Sequence, residues 1–238
     1  MVLSATALVA AQFIATLQPK TVAAFDQYFQ AVDGAMRARA ASPDSLAGGR
    51  EGVTPHAAGK DTPGNGMIHD WSVVAFVPGA KKAQAVAILE GFERHPSVYP
   101  EVLEGRVEKR DGGGLDGFHR IRKKKVLEVT LEARYRVEAL KAPGNRYASR
   151  SVATEIVEID KDKKRTPGHD HGFLWRLNTF WILEETPKGL WMECRSISLT
   201  RDTPMGLGWA INPIVRDLPK ESLLALMEAT KRAMQAGR

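Results

Sequence analysis

Two long strand-like runs, 174–185 and 190–200, lead through Arg201-Asp202-Thr203-Pro204 into an apolar turn, Met205-Gly206-Leu207-Gly208-Trp209, and one amphipathic helix then closes the chain. This hand-over constrains the fold more than any other stretch, because a half-apolar sheet and a half-apolar helix must cover one another. In the helix, Leu223, Leu224, Met227 and Met234 share one face, and Glu228, Lys231 and Arg232 share the other. Upstream, 127–140 alternates without a break. Leu127, Val129, Leu131, Ala133, Tyr135, Val137 and Ala139 fall on one side, and Glu128, Thr130, Glu132, Arg134, Arg136 and Glu138 on the other. An antiparallel strand with one buried and one wet face has this pattern.

Further strands are expected at 68–77, ended by Pro78-Gly79, at 102–109 and 118–125 around the turn Asp111-Gly112-Gly113-Gly114, and at 147–159 after Pro143-Gly144-Asn145. Residues 81–92 read as a helix with Ala85, Ile88, Leu89 and Phe92 on one face, broken by His95-Pro96 and Tyr99-Pro100 with one short turn between the prolines. Residues 21–40 read as a further helix, with Pro19 in its first turn and Val22, Phe25, Phe29, Val32 and Met36 at helical spacing. That helix is expected to lie against the main domain rather than to bind a separate partner. Residues 42–66 are rich in Gly, Pro, Ser and Ala with hardly any large apolar side chain, and read as a flexible linker. Residues 161–172 read as a charged loop. The expected organisation is an N-terminal segment and helix at 1–41, the linker at 42–66, and a main domain at 67–238.

Consecutive strands with helices kept to one side indicate an α+β fold: a curved antiparallel sheet of about seven strands wrapped around a long C-terminal helix, with an extra helix at the N-terminus. A bent sheet wrapped on a helix encloses a space that can hold an apolar molecule.

Composition adds limits rather than a function. The 238 residues are 43% hydrophobic and 26% charged, as in an ordinary globular protein. A single cysteine, Cys194, excludes an intramolecular disulfide framework. The net charge of +6 favours anionic surfaces in general. Residues 5–17 are apolar and rich in small side chains, and Ala5-Thr6-Ala7 has signal-peptidase spacing, but no Lys or Arg precedes them. Two readings stand: the tail of an export signal, or the first turns of an ordinary helix.

The passage Leu89-Glu90-Gly91-Phe92-Glu93-Arg94-His95-Pro96-Ser97-Val98-Tyr99-Pro100-Glu101-Val102, followed by six strands and a helix, resembles the START-like (SRPBCC, Bet v 1-like) helix-grip superfamily. Its His-Pro and Tyr-Pro steps resemble the polyketide-cyclase and coenzyme-Q-binding branch. The runs from Asp170 to Asn178 and from Ser196 to Asp202, continuing through Gly206 to Trp209, resemble an uncharacterised bacterial group within it. The resemblance covers 67 to about 233 and implies the helix-grip fold, not a ligand, because this fold hosts carriers, receptors and cyclases alike.

Candidate residues follow from strand phase. One of two sets points into the grip: Arg176 with Asn178, or Trp175, Leu177 and Thr179. The first set would suit a carboxylate, phosphate or carbonyl; its rival placement is on the far face. Ser196 and Ser198 share a face with Cys194, opposite Glu193 and Arg195, and their small size would leave room for a ligand. His169-Asp170-His171 is the only histidine cluster along the sequence; it reads as a structural loop, with His171 placed to orient a polar head group. Cys194 has no assignable base and reads as an inert buried thiol. The basic run Arg120, Arg122, Lys123, Lys124 and Lys125 reads as a solvated strand end, with transient contact to an anionic membrane as the rival reading; it lacks the interleaved aromatics of a nucleic-acid site. The expected ligand-binding set is Tyr99, Tyr135, His171, Arg176, Asn178, Ser196, Ser198, Met205, Leu207, Trp209, Leu223 and Met227, with Met205, Leu207 and Trp209 acting either as a lid over the cavity or as core. No metal and no cofactor is expected.

The leading expectation is binding or transport of a hydrophobic small molecule, a lipid, isoprenoid or polyketide, without catalysis. An aromatase/cyclase using Arg176, Asn178 and His171 is the first alternative. A protein-interaction module using the N-terminal helix and the linker is the second.

Overall fold

The computed structural model describes residues 14–124, 128–160, 163–202 and 208–236, with side chains from 217 onward in the last of these stretches. Among these residues nine strands form one antiparallel sheet: β1 (Gly52–Asp61), β2 (Gly66–Pro78), β3 (Val102–Asp111), β4 (Gly114–Lys124), β5 (Glu128–Leu140), β6 (Arg146–Asp160), β7 (Lys163–Arg165), β8 (Arg176–Thr186) and β9 (Gly189–Arg201). Their order is β1-β2-β9-β8-β6-β5-β4-β3, with the short β7 paired to β6. Among the described residues four α-helices accompany them: α1 (Pro19–Ala41), α2 (Lys82–Leu89), α3 (His95–Val98) and α4 (Gly208–Ala236).

The two faces of the sheet carry different helices. On the inner face, Leu223, Met227 and Met234 of α4 pack on Trp71, Val73, Ala75 and Val77 of β2, Met192 and Cys194 of β9, and Trp181 and Leu183 of β8. This is the helix-grip arrangement expected from the sequence. On the outer face, Phe25, Val32, Met36 and Ala40 of α1 pack on Phe180, Ile182, Ile197 and Leu199. The apolar stripe of α1 is therefore spent within its own chain, which removes the observation on which an interaction module would rest. A polar clamp fixes the same helix. Arg195 grips the fully buried Asp70 through Nε (2.8 Å) and an Nη (2.6 Å), and the Tyr28 hydroxyl donates to Asp70 at 2.9 Å. Burial first, and Asp70 second, push the Tyr28 phenol up to about 12.

The 42–66 segment differs from the expected linker. It holds a short 3-10 turn at Leu46–Gly48 and the whole of β1, which pairs with β2 from Gly52↔Val74 to Asp61↔Met67. Leu46 is buried, and its backbone N–H and the Ser45 hydroxyl both donate to Glu184. β1 buries little beyond Ala57 and Gly59. What it supplies is backbone partners for the edge of β2, and an edge position is where Pro55 can be tolerated in a strand. The charged 161–172 stretch likewise contains β7. The export-signal reading concerned residues 1–17, of which 1–13 lie outside the described residues; Ala15 forms a β-bridge with Asp170.

Candidate functional site

Register places the inner-face side chains in rows that run across the sheet. One row is Val73, Cys194, Trp181 and Ser149, paired successively from β2 to β6, and each member is less than a tenth exposed. The Cys194 thiol is sealed in it, and burial raises its pKa well above the ordinary value, so it cannot serve as a nucleophile.

The next row along is Trp71, Ser196, Thr179, Ser151 and Val137. Its middle members are small and only half-buried, although they stand in the middle of the sheet. The hydroxyls of Ser196, Thr179 and Ser151 hydrogen-bond to no described residue. The indole Nε1 of Trp71 is buried without a hydrogen-bond partner among the described residues. Lys220, on the covering helix α4, places its ammonium 5.6 Å from the centroid of the Trp71 ring. The row after that contains His69, Ser198 and Leu177, with Tyr135 beyond them on β5. His69 Nε2 lies 3.0 Å from the Thr200 hydroxyl.

A second polar cluster lies at the β3–β4 end. His95 Nε2 is 2.8 Å from the Ile88 carbonyl, and His95 Nδ1 is 2.7 Å from His119 Nε2. A carbonyl can only accept, so His95 carries its proton on Nε2. Its Nδ1 then accepts from His119 Nε2–H, and His119 Nδ1 keeps a lone pair. Burial first, and the neighbouring His95 second, pull the His119 imidazole down to about 3. Burial also lowers the His95 imidazole. Both rings are thus neutral at ordinary pH. Two glycines make the cluster possible. A Cβ at Gly105 would lie 2.0 Å from the Phe92 carbonyl oxygen, and one at Gly117 would lie 2.2 Å from the Phe92 ring. Without side chains there, the turn carrying Phe92 settles onto β3 and β4 and brings His95 to His119. Tyr135 meets His119 edge-on with centroids 5.4 Å apart, and burial alone drives its phenol pKa far up. Its hydroxyl has no hydrogen-bond partner among the described residues. The sequence reading singled out His169-Asp170-His171 and missed this pair, because His95 and His119 are 24 residues apart and meet only through the turn onto the β3–β4 hairpin.

The other expected site residues divide. Ser196, Ser198 and Tyr135 lie on the inner face. Tyr99 is tied to α4, its hydroxyl 3.1 Å from that of Thr230, and burial raises its phenol to about 12. Leu223 and Met227 fill the sealed half of the grip. His171 is held by Glu158, which accepts from both its ring and its backbone N–H. Among the described residues no group of three or more His, Cys, Asp or Glu side chains could hold a metal ion. In the His169–His171 loop, Asp170 instead accepts from the Trp175 indole at 2.9 Å and from the Gly172 N–H at 3.0 Å.

Arg176 and Asn178 require correction. They pair with Leu199 and Ile197, which belong to the outer-face core, so both point away from the grip. The Arg176 guanidinium donates to the Trp175 carbonyl, and Asn178 is buried in the outer half of the sheet. Met205, Leu207 and the side chain of Trp209 lie outside the described residues. In the basic run, Arg120, Arg122, Lys123 and Lys124 each pair with a glutamate, and Lys125 is outside the described residues.

One open pocket of 520 Å³ lies at the end of the grip between α2 and the first residues of β6. Ala83, Val86, Ala87 and Tyr147 give it an apolar wall, and Lys82, Arg94 and Arg110 stand around it with Glu90. Glu90 is already engaged by Arg110 and by the Tyr147 hydroxyl.

The strand order, with α4 laid across β2 and β9, decides the architecture. The fold is a helix grip. No protein-family model matches the chain, and no curated protein matches it. Among solved structures it is similar to a START superfamily protein from Mycobacterium smegmatis, at 12% identity over 71% of this chain and 99% of that one, with a TM-score of 0.49. It is similar also to a STAR-related lipid transfer protein from Xanthomonas axonopodis, at 13% identity over 76% and 99% of the two chains, with a TM-score of 0.48. A third is the Zhui aromatase/cyclase from Streptomyces sp. R1128, at 10% identity over 72% and 96%, with a TM-score of 0.46. Likeness at this level carries no function to this helix grip, whose activity has to be argued from its own inner face.

Proposed function

We propose that this protein binds or carries a hydrophobic small molecule, of lipid, isoprenoid or polyketide type, between the inner face of its sheet and helix α4, without acting on it chemically. The observation that supports this is the contrast between adjacent rows. Val73, Cys194, Trp181 and Ser149 are sealed, while Ser196, Thr179, Ser151 and Val137 beside them are only half-buried. Interiors of folded domains are close-packed, so small, half-buried side chains in mid-sheet mean space. Their hydroxyls and the Trp71 indole are polar groups that the described residues leave without a partner. A mostly apolar space with a few such groups is how small-molecule sites are built.

A cyclase would need polar groups inside the grip to polarise carbonyls. Arg176 and Asn178, the residues suited to that work, lie on the opposite face. The reading is tested by native mass spectrometry of the purified protein, before and after organic extraction, followed by a broad lipid panel. A bound mass that extraction removes is the expected result. Protein without bound mass, to which no member of the panel binds, would reject it.

A further inference from the structure

We infer that the site takes the anionic head group of an amphipathic molecule, held between Lys220 and Trp71 with its apolar body along the inner face. This rests on the binding reading above and names the ligand's chemistry.

The groups that converge here are hydrogen-bond donors. Trp71 Nε1 can only donate, is buried, and has no partner among the described residues. Lys220 can only donate, and its one described interaction is with the face of the Trp71 ring, 5.6 Å from its centroid. Among the described residues no carboxylate is paired with it. Ser196 stands beside Trp71 in the same row, and Thr179 follows it, each with a hydroxyl free to donate. A buried donor left unmatched is costly, and a charged acceptor gives the strongest bond to it. A carboxylate or phosphate oxygen would satisfy the indole and neutralise the ammonium together. A neutral ligand would satisfy the indole alone.

The surroundings agree with this polarity. Glu158, an inner-face carboxylate near His171, is already engaged by that residue. Beyond the head group, Leu177, Leu174 and Val137 offer the apolar lining that an attached chain needs. Lys220 lies on the covering helix, so a bound anion would also tie α4 to β2.

The test is displacement of a neutral fluorescent probe, N-phenyl-1-naphthylamine, from the intact protein at pH 8. The competitors are dodecanoate, dodecyl phosphate, dodecan-1-ol and inorganic phosphate. Both anionic chains are expected to displace the probe at concentrations about tenfold lower than the alcohol, the scale of one charge-assisted bond. Lys220→Met should abolish that preference while leaving displacement by the alcohol unchanged, which also shows that the variant is folded. Trp71→Phe should reduce it several-fold. Dodecan-1-ol equalling the anionic chains, an unchanged preference in Lys220→Met, or equal displacement by inorganic phosphate alone would each overturn the inference while leaving hydrophobic binding intact. If no chain compound displaces the probe, the binding reading fails and this one with it.

Discussion

The outer face of the sheet is filled and the inner face is filled over only part of its width. Outside, α1 inserts Phe25, Val32 and Met36 into an apolar cluster, and the fully buried Asp70 beside it is engaged by Arg195 and Tyr28. Inside, α4 fills the rows near Val73 and Cys194, then gives way to small half-buried hydroxyl residues. Both faces use one helix on one sheet. They differ in which polar groups find partners among the described residues. Outside, the buried carboxylates of Asp70 and Glu184 are matched and only the Asn178 Oδ1 acceptor is left over; inside, it is a donor, the Trp71 Nε1, that has no partner among the described residues, and an unmatched buried group costs stability wherever it stands.

Substitutions can break that comparison. The largest losses belong outside. Phe25→Ala should cost about 3–5 kcal/mol through loss of apolar burial and the cavity left behind. Asp70→Ala should cost about 3–5 kcal/mol by leaving the Arg195 guanidinium uncompensated. Chemical denaturation measures both, and a loss below about 1 kcal/mol for either would show that α1 is not integral to the fold. Met227→Ala, in the filled part of the inner face, should cost about 2–5 kcal/mol. If it instead cost nothing, the inner face would be open throughout.

Acid should act through the inner face. His119 has a folded pKa of about 3 against an ordinary 6.5, so the unfolded chain takes up its proton first. Its contribution to stability is complete above about 6.5 and is lost as the pH falls towards about 3. The melting temperature of the native protein should fall over that window more steeply than that of His119→Phe. Parallel profiles would place the acid sensitivity elsewhere. The smallest effect belongs to the open row, where Ser151→Ala and Thr179→Val should each change stability by no more than about 0.5 kcal/mol. A larger loss from either would mean that these hydroxyls have structural partners, and the contrast between rows would collapse.

Where a strand is wet on one side, the sequence states which side is buried. β5 was legible for that reason: charged residues alternate with apolar ones, and the apolar set faces in. β8 was not, because Phe180 and Ile182 serve the outer core while Trp181 and Leu183 serve the inner one. A run apolar on both sides carries no phase, which is why Arg176 and Asn178 could be set inside the grip. β1 was illegible for a different reason. Its residues bury almost nothing, and the segment is held by backbone pairing with β2. The His95–His119 contact depends on a turn docking against two glycines, a tertiary event that no local pattern records.

The strand order also sets a timetable. β3 to β6 follow one another in sequence and in space, so they can zip together as they are synthesised. β2 must wait. Its partner on the interior side of the sheet is β9, and their pairing joins Gly66 to Arg201. The intervening chain has to be looped out before that seam can close, an entropic toll typical of sheets with distant pairings. Until it closes, α1 has only part of its docking surface and α4 has no floor to lie on. The space between β2 and α4 is therefore the last thing this chain makes, and pulse-labelled hydrogen exchange should show β4 and β5 amides protected before those shared by β2 and β9.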